Sequence, residues 1–274
     1  MNLENSVCLV TGAARRVGRA IALEFARRGA RVAVHYRSSR EDAFATAEEC
    51  ARLSGGREAL TVVADQSDPE AIEGAVAEVL DRTGRIDVLV NSASVFHSTP
   101  FLKMTREQWD AMLDTNLRGP AWFCRAVAPG MVERGQGVII NIADVCGERP
   151  WPRYVPYCAA KAALINLTRG LAMELAPAVR VNAIGPGTVL LPDGASESLQ
   201  RRAERTSLLG RTGAPEDIAK ACIFLVEGSD YITGAFLPVD GGKSLLGRHE
   251  SDLRIGRTLT KLPGEAEAEI GKPR

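Results

Sequence analysis

The sequence predicts a single doubly wound α/β domain, in which helices cover both faces of a parallel sheet of about seven strands. Short, nearly continuous apolar runs alternate with longer helical patterns over about 240 residues, as is typical of parallel strands buried on both faces. No segment rich in proline, glycine or serine divides the chain into two domains. The 274 residues, 45% of them hydrophobic, can bury one core without support from disulfides or metals.

The predicted strands are rich in valine, isoleucine and leucine. In chain order they are 7–10, 31–34, 60–63, 87–90, 137–142, 179–182 and 235–239. Helices are predicted at about 17–28, 41–53 and 69–82, in two stretches between about 105 and 134, and over about 20 residues ending near 177. Gly29 closes the first helix, and Asp68, which precedes Pro69, is the expected N-cap of the third.

The chain is expected to consist of one folded domain, residues 1–247, followed by a tail, residues 248–274. The tail is highly charged and shows no clear hydrophobic period, so we expect it to be flexible. A short arm that docks at a subunit interface is the alternative.

The composition argues against several classes of protein. The 34 basic residues balance 34 acidic ones, which argues against a general nucleic-acid-binding or membrane-surface protein. No apolar stretch approaches the roughly 18 residues of a membrane span, and the first residues do not read as a signal peptide. The six cysteines form no CxxC pair, and the three histidines have no metal-ligand spacing. We therefore expect a cytoplasmic protein with reduced thiols, no metal site, and no nucleic-acid or membrane partner.

A glycine-containing loop follows the first predicted strand. Gly12 permits a tight turn, and Gly18 removes a side chain where the helix meets the strand. The helix N-terminus, which includes Val17, offers backbone N–H groups and a positive dipole end to a pyrophosphate. The loop therefore predicts a dinucleotide site, with an ordinary strand–helix turn as the alternative.

The same region favours NADPH (or NADP+) over NADH. Arg16 stands where a third glycine is expected, and its guanidinium can reach a phosphate. The second strand ends in basic and hydroxyl residues, with no acid before Glu41 to bind a ribose 2′-hydroxyl. These candidate contacts of a 2′-phosphate are His35, Arg37, Ser38 and Ser39. The alternative is a solvated basic turn. Asp65, just past the third strand, either accepts a hydrogen bond from an adenine amino group or caps a helix.

A tyrosine and a lysine lie one helical turn apart in the helix after the fifth strand. Tyr157 and Lys161 share a helix face, and the position lies at the carboxyl edge of the sheet, where ligands bind in this architecture. A free phenol has a pKa near 10, and a nearby ammonium lowers that pKa by stabilising the phenolate. The pair therefore predicts a proton-transfer site.

The motifs together resemble the short-chain dehydrogenase/reductase family over about residues 5–245. They are TGAARRVG at 11–18, NSAS at 91–94, Asn116, YCAAK at 157–161 and GPG at 185–187. The resemblance implies a Rossmann fold, a homotetramer and a catalytic Tyr157, with Lys161 contacting the nicotinamide ribose. It also implies that Asn116 holds a water linked to Lys161, that Asn91 and Ala93 line the cofactor, and that Gly185–Gly187 flanks the nicotinamide.

At two positions that depart from that family's usual pattern, the chain resembles the family's pteridine reductase branch, which includes dihydrofolate and dihydromonapterin reductases. Asp144 stands where the family has a catalytic serine, and Arg16 replaces the middle glycine. By this resemblance, Asp144 and Tyr157 deliver a proton to a ring nitrogen, and Phe96 stacks on the pterin. Further implied contacts are Ser94 and Arg16 with the pterin or a cofactor phosphate, and His35 and Ser39 with the 2′-phosphate.

Three functions compete at this point. The first is NADPH-dependent reduction of a pterin or folate, in which a carboxyl beside a phenol suits protonation of nitrogen. The second is reduction of a carbonyl, such as a 3-oxoacyl thioester, against which Asp144 and Phe96 argue. The third is a non-catalytic NADP(H)-binding regulator. Asp144 as a polar cap and Phe96 as a core side chain are the structural alternatives.

Overall fold

The computed structural model describes residues 1–192 and 194–246, so the predicted tail at 248–274 lies outside the described residues. Seven parallel strands form one sheet in the order β3-β2-β1-β4-β5-β6-β7. The strands are β1 Val7–Val10, β2 Arg31–Tyr36, β3 Leu60–Val63, β4 Val88–Asn91, β5 Gly137–Ile142, β6 Val179–Pro186 and β7 Phe236–Val239. The predicted seven-stranded parallel sheet is confirmed.

Helices lie on both faces of this sheet, as predicted. They are α1 Arg16–Arg27, α2 Arg40–Leu53, α3 Pro69–Thr83, α4 Arg106–Leu113, α5 Gly119–Glu133, α6 Val155–Leu175, α7 Glu197–Arg205 and α8 Pro215–Ile223. Helices α1, α2 and α8 pack on one face, and α3, α5 and α6 pack on the other. No helix within the described ranges is both long and apolar enough to cross a bilayer.

The two faces of the sheet explain why the strand sequences are continuously apolar. In β1, Cys8 and Val10 enter the core beneath α1, whereas Val7 and Leu9 enter the opposite core beneath α3 and α5. All four side chains are at most 5% exposed. Successive side chains of a strand point to opposite faces, so a strand covered on both sides is apolar at every position.

Most helix ends agree with the sequence. Asp68 caps α3 by accepting hydrogen bonds from the N–H groups of Glu70 and Ala71, at 3.0 and 3.3 Å. Gly84, in the left-handed region at φ 74°, ends that helix. The Asp68 cap is a local arrangement, which explains why the sequence predicts it, whereas the sequence analysis did not identify Gly84 as the helix end.

Two parts of the fold differ from the prediction. The two stretches predicted between 105 and 134 form a continuous helical segment, because a π-helical turn at Asp114–Arg118 joins α4 to α5. The sequence analysis also missed α7 and α8. Helix α7 has one buried residue, Ala203, so its sequence carries almost no apolar stripe to signal a helix.

Candidate active site

The candidate site lies at the carboxyl edge of the sheet. The strand order reverses between β1 and β4, since the chain passes from β3 at one edge to β4 on the far side of β1. The loops after these two strands therefore diverge and leave a crevice, which is where ligands bind in open α/β sheets.

The loop after β1 has the geometry of an anion cradle. Gly12 lies in the left-handed region at φ 62°, and a Cβ on Gly18 would lie 2.3 Å from the carbonyl oxygen of Gly12. No described side chain caps α1 at Arg15, and its first turn contains no acid. The first-turn N–H groups, at Arg16, Val17 and Gly18, are therefore suited to a pyrophosphate.

Arg16 itself occupies a backbone conformation that glycine prefers. Its φ is 57°, so the position expected for a third glycine retains glycine-like geometry while carrying a guanidinium. Such strain costs on the order of 1–3 kcal/mol and is typical of ligand-binding loops. This strain supports the predicted role of Arg16 at the cofactor or substrate.

The predicted contact between His35 and a 2′-phosphate is wrong. His35 is 2% exposed; its Nδ1 accepts a hydrogen bond from the N–H of Gly12, and its Nε2 donates to the carbonyl of Ala64 at 3.1 Å. Burial lowers the pKa of His35 to about 4, so the ring is neutral. His35 lies near the buried carboxyl end of β2. Its side chain supports the Gly12 turn through a hydrogen bond and, being neutral and buried, cannot offer a positive charge to a phosphate.

The other candidates for the 2′-phosphate lie at the surface beyond β2 and β3. The Arg37 guanidinium lies 3.8 Å from the Asp65 carboxylate, and both side chains are exposed. Ser39 precedes α2, and in the described structure its hydroxyl does not cap that helix. Ser38 lies between these two residues, and its backbone carbonyl accepts a hydrogen bond from the N–H of Arg40. Two of these side chains, Arg37 and Ser39, can therefore turn toward a phosphate.

Asp68, and not Asp65, is the N-cap of α3, so the helix-capping role offered as the alternative for Asp65 is wrong. Asp65 instead closes a local turn before that helix. Its Oδ1 accepts hydrogen bonds from the N–H and the hydroxyl of Ser67, at 2.9 and 2.7 Å. The Ser67 N–H lowers the pKa of Asp65, and the nearby Arg37 acts in the same direction. The contact with adenine stays a prediction.

A carboxyl and a phenol meet directly beyond β5. The Tyr157 hydroxyl donates to Oδ2 of Asp144 at 3.0 Å, and Oδ1 of Asp144 accepts the N–H of Cys146 at 2.8 Å. Asp144 therefore both caps the short 3₁₀ turn that follows it and pairs with Tyr157. Lys161, one turn along α6, donates to the carbonyl of Ile142 at 2.8 Å and lies 5.6 Å from the Tyr157 ring centre.

Burial dominates the protonation of these three groups. It raises the pKa of Asp144, and it raises the pKa of Tyr157 further because the Asp144 carboxylate is adjacent. Burial also lowers the pKa of Lys161 to about 8. The net shift of the phenol pKa is therefore upward, opposite to the lowering predicted from Lys161. The raised pKa values favour the protonated forms of both the carboxyl and the phenol.

Asn116 organises the loop that follows β4. It lies in the π-helical turn and is fully buried, and its Oδ1 accepts a hydrogen bond from the Ser94 hydroxyl at 2.5 Å. Its amide group donates to the carbonyls of Val95 and Met112, each at 3.0 Å. The same hydroxyl lies close enough to Tyr157 to lower the pKa of the phenol, although its one proton is directed at Asn116. Asn116 is thus connected to Tyr157 through Ser94, whereas its predicted water stays a prediction.

Phe96 belongs to an exposed aromatic wall, so it is not a core side chain. It is 53% exposed and stacks on Tyr154 with ring centres 4.7 Å apart and planes 5° apart. Its ring also meets Tyr157 edge-on at 4.9 Å, and Trp151 packs edge-on against it. A flat, partly exposed aromatic surface therefore borders the phenol.

The side chain of Asn91 points into the protein, and the predicted position of this residue along the cofactor stays a prediction. Asn91 is 2% exposed, and its amide nitrogen donates to Oδ1 of Asn141 at 2.8 Å, which links β4 to β5. Ala93, two residues on, donates its N–H to the Thr11 hydroxyl at 3.0 Å and packs against the Gly12 loop. Ala93 therefore lies at the crevice, where its predicted contact remains open to test.

Lys243, which lies over the ring of Trp151, is a residue near the site that the sequence analysis missed. The Lys243 ammonium lies 4.9 Å from the Trp151 ring centre and donates to the Thr188 hydroxyl at 2.8 Å. Gly187 precedes Thr188, and a Cβ there would lie 2.6 Å from Cα of Asp240. Lys243 follows the last strand in sequence, so no local motif connects it to the aromatic wall.

The structure brings six of the predicted site residues together around the phenol. The cluster around the phenol consists of Ser94, Phe96, Asn116, Asp144, Tyr157 and Lys161. The side chains of His35 and Asn91 lie inside the protein instead.

Comparisons with known proteins agree with this architecture. A sequence model of the family described as "Enoyl-(Acyl carrier protein) reductase" matches residues 12–244. A 3-oxoacyl-(acyl-carrier-protein) reductase from Thermotoga maritima is 37% identical over 248 residues, covering 88% of this chain and 99% of the relative. Its counterpart from Staphylococcus aureus strain Mu50 is 36% identical over 238 residues, covering 85% and 96%. A (2S)-[(R)-hydroxy(phenyl)methyl]succinyl-CoA dehydrogenase subunit from Thauera aromatica is 36% identical over 252 residues, covering 89% and 99%.

These relatives support the predicted family but not the pteridine reductase branch. Two of them are named for a 3-oxoacyl thioester, which was the alternative reading of the sequence. The family match covers strands β2 to β7 and the cluster around the phenol. This chain belongs to the short-chain dehydrogenase/reductase family and is an oxidoreductase.

Proposed function

We propose that this chain is an NADPH-dependent reductase that reduces a C=N bond in a pterin ring, with dihydropterins and dihydrofolate as candidate substrates. The observation that carries the proposal is the buried carboxyl of Asp144, 3.0 Å from the Tyr157 hydroxyl. Burial raises the pKa of this carboxyl, which favours its protonated form beside the phenol. Such a pair is suited to protonating a ring nitrogen.

The cofactor crevice fits NADPH. The uncapped N-terminus of α1 and the Gly12–Gly18 cradle suit a pyrophosphate, and Arg37 with Ser39 suits a 2′-phosphate. When bound, NADPH supplies the hydride. Lys161 lies at the inner end of the crevice, where its ammonium can bind a ribose hydroxyl while it donates to Ile142.

The residues around the phenol manage one proton per turnover. Reduction of a C=N bond adds a hydride to carbon and a proton to nitrogen, so the proton must arrive on the face of the ring nearest Tyr157. The Tyr157 hydroxyl gives up its proton, and the Asp144 carboxyl replaces it across the hydrogen bond. After the phenol has lost its proton, the Ser94 hydroxyl can turn from Asn116 and donate to the phenolate.

The aromatic wall favours a flat heterocycle. Phe96 is half exposed and meets Tyr157 edge-on, so a planar ring that stacks on the exposed part of Phe96 lies beside the proton donor. In its ionised form, Asp144 accepts hydrogen bonds from amino and ring N–H groups, whereas it repels the alkoxide that forms when a ketone is reduced.

Reduction of a 3-oxoacyl thioester is the second candidate, and the names of the relatives favour it. In that reaction Tyr157 protonates the carbonyl oxygen. The protonated form of Asp144 then acts as the donor that a serine hydroxyl supplies elsewhere in the family. Burial raises the pKa of Asp144 and so favours this protonated form.

A substrate panel tests these candidates. Dihydrobiopterin, dihydrofolate and acetoacetyl thioesters are each offered with NADPH, and kcat/KM is measured for each. We expect the pterin to exceed the thioester at least 100-fold; the reverse order assigns the second candidate. Tyr157→Phe should abolish turnover while NADPH binding, followed by its fluorescence, is retained. Binding of NADPH without turnover of any substrate would identify a regulator.

We also propose a homotetramer, as the family resemblance implies. Light scattering of the purified chain measures its mass, and a monomer would contradict this proposal.

A further inference from the structure

A lysine is held in a restrained position at the aromatic wall. Lys243 begins the short 3₁₀ turn Lys243–Leu245, which follows β7. Its ammonium donates to the Thr188 hydroxyl at 2.8 Å and lies 4.9 Å from the ring centre of Trp151. A lysine side chain is otherwise among the most flexible in proteins, so these contacts reduce the entropy that is lost when a ligand binds its charge.

The turn that carries Lys243 is closed by hydrogen bonds of its own. Oδ1 of Asp240 accepts the N–H of Gly242 at 2.9 Å, and Oδ2 accepts the N–H of Ser244 at 2.6 Å. The carbonyl of Asp240 also accepts the N–H of Lys243 at 3.2 Å. Both carboxylate oxygens of this acid therefore bind the backbone of the turn, which positions the lysine above Trp151.

The aromatic wall connects this lysine to the proton donor. Trp151 packs edge-on against Phe96 with ring centres 6.4 Å apart, and Phe96 meets Tyr157 edge-on at 4.9 Å. Phe96 thus contacts both of the other rings, and the Lys243 ammonium lies beside Trp151. A substrate whose reacting group lies beside Tyr157 can extend over Phe96 and Trp151 and bring a further group to the ammonium.

The charges and donors around this part of the wall favour an anion. The loop 148–154 carries two exposed arginines, Arg149 and Arg153, against one acid, Glu148. The Thr188 hydroxyl accepts the lysine N–H, so its own proton can be donated to the same ligand. A carboxylate or a phosphate can accept hydrogen bonds from both groups at once, and bonds between an ammonium and such an anion are shorter and stronger than those between neutral groups.

We propose that Lys243 and Thr188 bind an anionic group at the end of the substrate remote from its reacting group, so that the enzyme prefers substrates that carry such an anion. This inference rests on the proposed reaction at Tyr157, which places the reacting group. In dihydrofolate the anion is a glutamate carboxylate, and the p-aminobenzoyl ring that precedes it packs along Trp151. In a 3-oxoacyl thioester of coenzyme A, which belongs to the second candidate, the anion is a phosphate.

Two pairs of substrates test this site. Dihydrofolate and dihydrobiopterin share the dihydropterin ring, but only dihydrofolate is an anion. Acetoacetyl-coenzyme A and acetoacetyl-N-acetylcysteamine share the 3-oxoacyl thioester, but only the first has phosphates. Both kcat and KM are measured with NADPH in wild type and in Lys243→Met, which keeps the unbranched stem and removes the charge. We expect the KM of the charged member to rise at least about 10-fold and that of the neutral member less than about 2-fold, with kcat retained within about 2-fold.

Matched variants and salt serve as controls. Lys220→Met removes an exposed ammonium on α8 and should leave every KM within about 2-fold of wild type. Lys243→Arg keeps a cation and should keep the KM of the charged member within about 3-fold. Raising the ionic strength from about 0.05 M to about 0.5 M should raise the KM of the charged member in wild type and not in Lys243→Met, because salt screens the attraction.

The outcomes separate this inference from the substrate assignment. Equal changes in KM for the two members of the pair that is turned over, or no change for either, overturn the role of Lys243. Turnover of the thioester pair alone overturns the pterin assignment, and that pair then decides the anion site. If no pair is turned over, the Kd of folate for the NADP+ complex, followed by tryptophan fluorescence, decides in wild type and Lys243→Met.

A second variant decides if Lys243→Met does not fold. Thr188→Val removes the hydroxyl that contacts both the ammonium and the proposed anion, and it should raise the KM of the charged member at least about 3-fold. An unchanged KM in this variant, together with a wild-type KM that does not depend on salt, overturns the proposal.

Discussion

Replacement of Asp144 by asparagine distinguishes the roles of the two hydrogen bonds that this side chain accepts. Oδ1 accepts the Cys146 N–H at 2.8 Å, and an asparagine oxygen can do the same. Oδ2 accepts the Tyr157 hydroxyl at 3.0 Å, and there the variant places an amide that cannot take up or release a proton. Asp144→Asn therefore keeps the cap and removes the acid.

The expected loss follows from the bond that is removed. A hydrogen bond to a charged group contributes about 1.5–3 kcal/mol, and each 1.36 kcal/mol changes a rate tenfold. We therefore expect kcat for dihydrobiopterin to fall about 10- to 150-fold. Oxidation of NADPH, followed by absorbance at saturating pterin, measures this rate, and Asp144→Ser provides a second variant with the hydroxyl that is usual in the family.

Stability serves as the control for this experiment. Burial raises the pKa of Asp144, so the folded state binds a proton more tightly than the unfolded state does. The contribution of Asp144 to stability therefore falls as pH rises from the unfolded pKa toward the raised folded value. Asp144→Asn should melt no lower than the wild type at pH 7, with a smaller difference at pH 4. A variant that keeps wild-type kcat would refute the proposed role of Asp144.

Three further predictions concern the cofactor crevice and the ammonium. Because burial lowers the pKa of Lys161 to about 8, kcat/KM should fall as pH rises above about 8. The free lysine side chain has a pKa near 10.4, so the lowered pKa corresponds to a cost of about 3 kcal/mol for burying the ammonium at pH 7. Lys161→Met removes this cost, so it should raise the midpoint of urea unfolding while it abolishes turnover. Arg37→Ala with Ser39→Ala should raise the Kd of NADPH at least 10-fold and that of NADH less than 3-fold, measured by fluorescence titration. Gly18→Ala places a Cβ 2.3 Å from the Gly12 carbonyl oxygen, so it should destabilise the fold by about 1–3 kcal/mol and weaken NADPH binding.

Each of these predictions has a control within the chain. Arg52→Ala removes another exposed guanidinium, on α2, and should leave the preference between the two cofactors unchanged. At Gly74, in α3, no described atom lies within 4 Å of an added Cβ, so Gly74→Ala should be neutral or stabilising. Equal weakening of NADPH and NADH, a flat pH profile between pH 7 and 10, or equal effects of Gly18→Ala and Gly74→Ala would contradict the respective prediction.

Features that depend on neighbouring residues could be predicted from the sequence. The strands are apolar at every position because both faces of the sheet are covered, and that pattern is visible without the structure. Tyr157 and Lys161 share a helix face because they are four residues apart. The Asp68 cap is likewise a local arrangement.

Which polar groups are buried, and which partners they bind, was decided only by the tertiary structure. From the sequence, His35 is expected to be a basic residue of a phosphate-binding turn. In the structure, however, the last residues of β2 lie under the Gly12 loop, where the exclusion of solvent keeps the imidazole neutral. Lys161 is close enough to Tyr157 to lower its pKa, but burial and the Asp144 carboxylate act more strongly.

The sequence by itself determined the fold class, the glycine loop after β1 and the tyrosine–lysine pair, because these follow from hydrophobic period, glycine geometry and helical spacing. The tertiary structure decided which groups surround the phenol. Asp144 and Tyr157 are 13 residues apart, and they meet because the 3₁₀ turn at Val145–Gly147 packs on α6. Contacts of that kind depend on distance in space and on the exclusion of water, neither of which a local sequence pattern encodes.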